Sequence, residues 1–78
     1  MPDFYADRPE AAKMLKRFGK RIAELRVERG WSQRKMAELC QMHRITLLRI
    51  EGGKHSPLLI DAVRMADILG AKLGELIE

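Results

Sequence analysis

Seventy-eight residues, fifteen Lys and Arg against eleven Asp and Glu, a formal net charge of +4 and one cysteine, Cys40, set narrow bounds. A chain of this length holds one small domain, without room for a second, ligand-sensing unit. One cysteine excludes an intramolecular disulfide and falls short of a zinc set, and there is neither a run of about 18 apolar residues nor a basic-then-apolar leader. The expectation is a cytoplasmic protein without a membrane segment. Charge is unevenly spread: residues 1–55 carry thirteen basic and seven acidic side chains, residues 56–78 two basic and four acidic. Such asymmetry suits one portion facing a polyanion and a tail with another task.

Residues 1–7 read as a flexible tail in which Phe4 and Tyr5 either fray or tuck against a neighbour, and residues 8–78 as a single domain. A first helix is expected over about 8–29. Asp7 and Glu10 have capping-box spacing, Leu15, Phe18, Ile22 and Leu25 recur on one face, and Gly30 supplies a left-handed stop. Gly19 inside that helix costs about 1 kcal/mol relative to Ala, which implies close approach of another element. Ser32 is a good N-cap for a second helix over about 33–40, with Met36, Ala37 and Cys40 as its apolar stripe and Met42 as an inward anchor after it. The third helix spans about 44–52, with Leu47 and Ile50 inward and Gly53 in the turn out. Ser56-Pro57 has the pattern of an N-cap and first-position proline for a fourth helix, running through Leu59, Ala62, Val63, Ala66 and Leu69 to a stop at Gly70. A short fifth helix, about 73–77, offers Leu73, Leu76 and Ile77. No strand-like alternation occurs, so the expected class is all-α with five helices.

Two short helices joined by a three- to four-residue turn form the helix-turn-helix unit that fits a major groove. At 100° per residue Leu47, Ile50 and Glu51 of the third helix point one way. Arg44, Ile45, Leu48 and Arg49 lie within about 140° on the other side. An arginine can pair with guanine O6 and N7, and an aliphatic chain can cover a thymine methyl, so this face has the chemistry to read base edges. Two aliphatic residues exposed side by side are unfavourable unless something covers them.

From Phe18 to Ile77 the sequence resembles the Cro and repressor type (XRE-like) of helix-turn-helix regulators. The matching words are Phe18-Gly19-Lys20-Arg21-Ile22 with Leu25-Arg26, Gly30-Trp31-Ser32-Gln33 with Met36-Ala37, Ile50-Glu51 with Gly53-Lys54, Ser56-Pro57, and Leu69-Gly70 with Leu76. The resemblance implies a five-helix, lambda-repressor-like DNA-binding domain and a transcriptional regulator as the function. It implies base reading by Arg44, Ile45 and Arg49, with His43 at the cap. Phosphate contacts fall to Gln33, also able to brace Arg44, and to Arg34, Lys35, Thr46, Lys54 and His55. It also pairs Glu51 with Arg26 in a partly buried ion pair that orients helices and does not read DNA. Gln41 departs from the pattern by standing where the turn has glycine, which places a non-glycine residue near positive φ. Leu48 and Ile60 replace residues that are usually polar.

One half-site reader makes few contacts, and two readers about 34 Å apart on a two-fold operator are the usual solution. Leu58, Ile60, Ile68, Ala71, Leu73 and Ile77 offer apolar surface for a homodimer seam, although Leu73 and Ile77 suit the monomer core equally well. Met42-His43-Arg44, Thr46 and Arg49-Ile50-Glu51 are similar to the small controller proteins of restriction–modification systems, a subtype that implies autoregulation. The competing class is an antitoxin-type protein-binding module whose Ile45, Leu48 and Leu58 contact a protein. Cys40 and His43 with His55 supply three ligands at most, and Cys40 on an apolar stripe reads as an inert thiol. No enzyme activity, cofactor, metal or small-molecule ligand is expected.

Overall fold

The structure, a computed structural model, describes residues 7–78, so the expected tail, with Phe4 and Tyr5, lies outside the described residues except for Asp7. Five helices follow in order: α1 (Pro9–Glu28), α2 (Gln33–Leu39), α3 (Arg44–Glu51), α4 (Leu59–Leu69) and α5 (Leu73–Ile77). No strand occurs among the described residues.

The helix starts differ in chemistry. Ser32 caps α2 by accepting the Lys35 N–H at 3.0 Å. Pro9 opens α1, and the N-cap is Arg8 with no side-chain cap, so the capping box read at Asp7 and Glu10 does not form. Proline at the first position removes one of the unpaired amide donors of the helix start, and its fixed φ already suits a first turn. At α4 the Ser56-Pro57 reading is also corrected, because the helix begins two residues later with Leu58 as an uncapped N-cap. Pro57 instead lies in the connecting loop, where it lines an apolar groove together with Met14, Leu15 and Phe18 of α1.

The first four helices end alike. In each, the residue that follows a positive-φ position donates to a carbonyl five residues back: Trp31 to Arg26, Met42 to Ala37, Lys54 to Arg49 and Ala71 to Ala66. This is the left-handed Schellman ending. Gly30, Gly53 and Gly70 occupy its positive-φ position in α1, α3 and α4, and Gln41 does so at φ 55 after α2.

The core is one cluster centred on Phe18, Ile22, Met36, Leu47, Ile50, Met65, Leu69 and Leu76. α1 packs against α3, α4 and α5, while α2 packs on α3. Gly19 permits the α1–α3 crossing: a Cβ there would stand 2.8 Å from the Glu51 carbonyl oxygen and closer still to that of Ile50.

α4 departs from its expected inward stripe. Ala62, Met65, Ala66 and Leu69 are buried, whereas Leu59 and Val63 are 73% and 45% exposed. The stripe is centred between Met65 and Ala66, which leaves Val63 on the flank, and Leu59 sits in the first turn at the rim of the core. Of the residues read as an intermolecular seam, Leu58, Ile60 and Ile77 are exposed; Ile68, Ala71 and Leu73 are partly buried against the monomer's own core. None of the described helices is long and apolar enough to cross a membrane.

Candidate nucleic-acid interface

The local sequence of α3 divides its surface sharply. Leu47 and Ile50 are buried; Arg44, Ile45, Leu48 and Arg49 are exposed, with Ile45 at 63% and Leu48 at 49%. Neither arginine enters an ion pair among the described residues, so both guanidiniums keep their five donors for a partner. His43 is the N-cap without a side-chain cap bond and is exposed, and Thr46 is half-buried at the edge of the face.

What fixes α3 is at its far end. Glu51 accepts two bonds from Arg26, from Nε at 2.7 Å and Nη2 at 3.0 Å, with the two side chains 14% and 7% exposed (Arg26 first). Arg26 also donates through Nη1 to the Trp31 carbonyl at 2.8 Å, tying in the turn before α2. Gln33, the first residue of α2, donates from Nε2 to the same carboxylate at 3.1 Å. Its amide is therefore braced on Glu51, not on Arg44. The second N–H of that amide remains to be directed elsewhere, together with the backbone amides of the first turn of α2.

Around this frame lie the other basic residues singled out from sequence. Arg34 and Lys35 are exposed in the first turn of α2, and Lys54 and His55 are exposed in the loop after α3. The Lys54 amide donates to the Arg49 carbonyl at 2.9 Å, which ties the start of this loop to the last turn of α3. The assembled surface is basic, with two exposed aliphatic side chains between arginines. Among the described residues, no three His, Cys, Asp or Glu side chains gather to hold a metal ion.

Three arginines that sequence reasoning passed over brace the scaffold behind the face. Arg64 donates to the Cys40 carbonyl and to Asp61, linking α4 to the end of α2. Arg29 donates to the Leu69 carbonyl at the end of α4 and lies over the Trp31 ring at 5.9 Å. Arg21 donates to the Glu75 carbonyl in α5 at 3.1 Å. Only the i, i+3 spacing of Asp61 and Arg64 leaves a trace in the sequence.

Comparison with known proteins agrees with this geometry. A family model described as a helix-turn-helix domain matches residues 17–78. Among solved structures, the chain is similar to the restriction-modification controller protein C.AhdI from Aeromonas hydrophila: 32% identity, covering 83% of this chain and 97% of that one, with a TM-score of 0.75. No curated protein matches the sequence significantly.

Proposed function

Because the chain belongs to the helix-turn-helix domain family, we propose that it is a sequence-specific transcriptional regulator that binds double-stranded DNA as a homodimer on a two-fold operator. The observation that carries this reading is the face of α3. Arg44, Ile45, Leu48 and Arg49 are exposed together on a helix whose other side is locked to α1 and α2. Arginine forks suit guanine edges and the aliphatic pair suits thymine methyls, so α3 enters the major groove.

Gln33, Arg34, Lys35, Thr46, Lys54 and His55 flank the groove and meet phosphates, with the N-terminal amides of α2 adding donors. The dimer seam rests on Leu58, Ile60 and Ile77, all exposed, as are Leu59 and Val63 of α4. Ile68, Ala71 and Leu73 border that seam from within the core. Similarity to a restriction-modification controller supports control of the protein's own promoter.

Selection of bound fragments from a random duplex pool at about physiological salt tests the reading. Recovery of a two-fold-related motif, bound at least about fivefold more weakly by Arg44→Ala, supports it. Folded protein that enriches no sequence overturns it and leaves the exposed Ile45 and Leu48 to a protein partner.

A further inference from the structure

We propose that the first half of α1 carries a second row of DNA phosphate contacts, made by Lys13, Lys16 and Lys20 to the backbone flanking the half-site that α3 reads. This rests on the DNA-binding reading above and extends its footprint. The observation behind it is a close approach between two segments far apart in sequence. Gly53, at φ 71, lies so tightly on α1 that a Cβ there would stand 2.8 Å from both Cα and Cγ of Lys16 and 3.2 Å from its N. The backbone leaving the recognition helix is thus seated on Lys16, and Lys54 is the next residue along it.

Lys13 and Lys20 stand three residues before and four residues after Lys16, on the same outward stripe of the helix. Lys13, Lys16, Lys20 and Lys54 are all exposed, and none enters an ion pair among the described residues. Along α1 an acidic residue precedes the stripe, Glu10, and another follows it, Glu24. Lys13 and Lys16 precede the residues matched by the helix-turn-helix family model, which start at 17. Lys20 lies within the matched residues, so the row spans the edge of the family match.

The occupant is the sugar-phosphate backbone. Unpaired ammonium groups lined up along one helix repel one another, and evenly spaced phosphates relieve that repulsion while releasing counterions. The row is also continuous with Lys54 and His55, at the edge of the recognition face, where the strand emerging from the groove must pass.

The test uses the full chain and the selected operator in two duplexes, one ending at the outer edges of the half-sites and one with about ten further base pairs on each side. Wild type binds the longer duplex more tightly. The variant Lys13→Gln/Lys16→Gln/Lys20→Gln binds it about tenfold more weakly near 0.1 M salt and no longer distinguishes the two lengths. Its plot of log affinity against log salt becomes shallower by about 0.9 for each phosphate that the protein no longer neutralises. Lys72→Gln, at the start of α5, leaves both measurements unchanged. Should the triple variant melt early, Lys16→Gln alone is read in the same way. A variant that keeps the wild-type salt slope and length dependence overturns the inference while operator recognition stands; failure of wild type to select any sequence overturns the DNA-binding reading and this one with it.

Discussion

Arg26 and Glu51 close a two-point ion pair, at 2.7 and 3.0 Å, between α1 and the last residue of α3. Both side chains are largely buried, and Glu51 also takes the Gln33 amide, so the pair sets the angle at which α3 leaves the body of the protein. Removing one partner strands the other's charge away from water. Arg26→Ala or Glu51→Ala should cost about 3 kcal/mol and lower the melting temperature by roughly 15 °C. The double variant should cost less than the sum of the two. Thermal melting of the four proteins measures both quantities, and additive losses would show that the pair is not coupled.

Gly19 makes a related prediction with opposite local and tertiary signs. In an isolated helix Gly19→Ala gains about 1 kcal/mol of helix propensity. Here the added methyl meets the carbonyl oxygens of Ile50 and Glu51. The helices must separate, at a net cost of about 2 kcal/mol. Melting reports the loss, and weakened operator binding at a temperature where the variant is still folded reports the displaced α3.

Ile45 and Leu48, exposed beside Arg44 and Arg49, should read thymine by its methyl group. Replacing contacted thymines of the selected operator by deoxyuridine removes only that methyl. Wild type should then bind about fourfold more weakly per thymine replaced, from about 0.8 kcal/mol for a buried methyl. Ile45→Ala and Leu48→Ala should narrow the difference between the two DNAs. Equal binding of thymine and deoxyuridine operators by wild type would remove this role.

Cys40 is fully buried at the end of α2, and burial pushes its thiol pKa up, with Arg64 pulling it down and Asp61 adding to the rise. In the unfolded chain the thiol loses its proton at its ordinary, lower pKa, so above that value the unfolded state binds fewer protons than the native one. This group's contribution to stability is therefore fully present at neutral pH and falls as pH rises through the ordinary thiol range, about 8.5, and above. A disulfide reagent at pH 8 should label native protein only as fast as it opens, and Cys40→Ala should flatten the alkaline decline in stability. Prompt labelling of the folded protein would contradict the burial.

Local features determined most of what the chain shows by itself. The apolar stripes of α1 and α2, the Ser32 cap and the helix ends at Gly30, Gly53 and Gly70 follow from periodicity and chirality within a few residues, whereas the positive φ of Gln41 was signalled by the family resemblance, which has glycine there. The outward face of α3 is equally legible, because a helix with Leu47 and Ile50 buried has only one way to place Arg44, Ile45, Leu48 and Arg49. Gly19 signalled a close approach without naming what approaches.

Only the tertiary structure decided matters that depend on partners distant in sequence. Arg26 and Glu51 stand 25 residues apart, and family resemblance, not spacing, joins them. Gln33 bonds Glu51, Pro57 lines a groove beside α1 instead of opening α4, and Gly53 is seated on Lys16. Ile68, Ala71 and Leu73 pack against the monomer core while Leu58 and Ile60 stay exposed, a division that composition cannot make because all five are apolar. Hydrophobic pattern selects which face of a helix turns inward; how far along the helix the core extends, and which backbone meets it there, is set by how the helices cross.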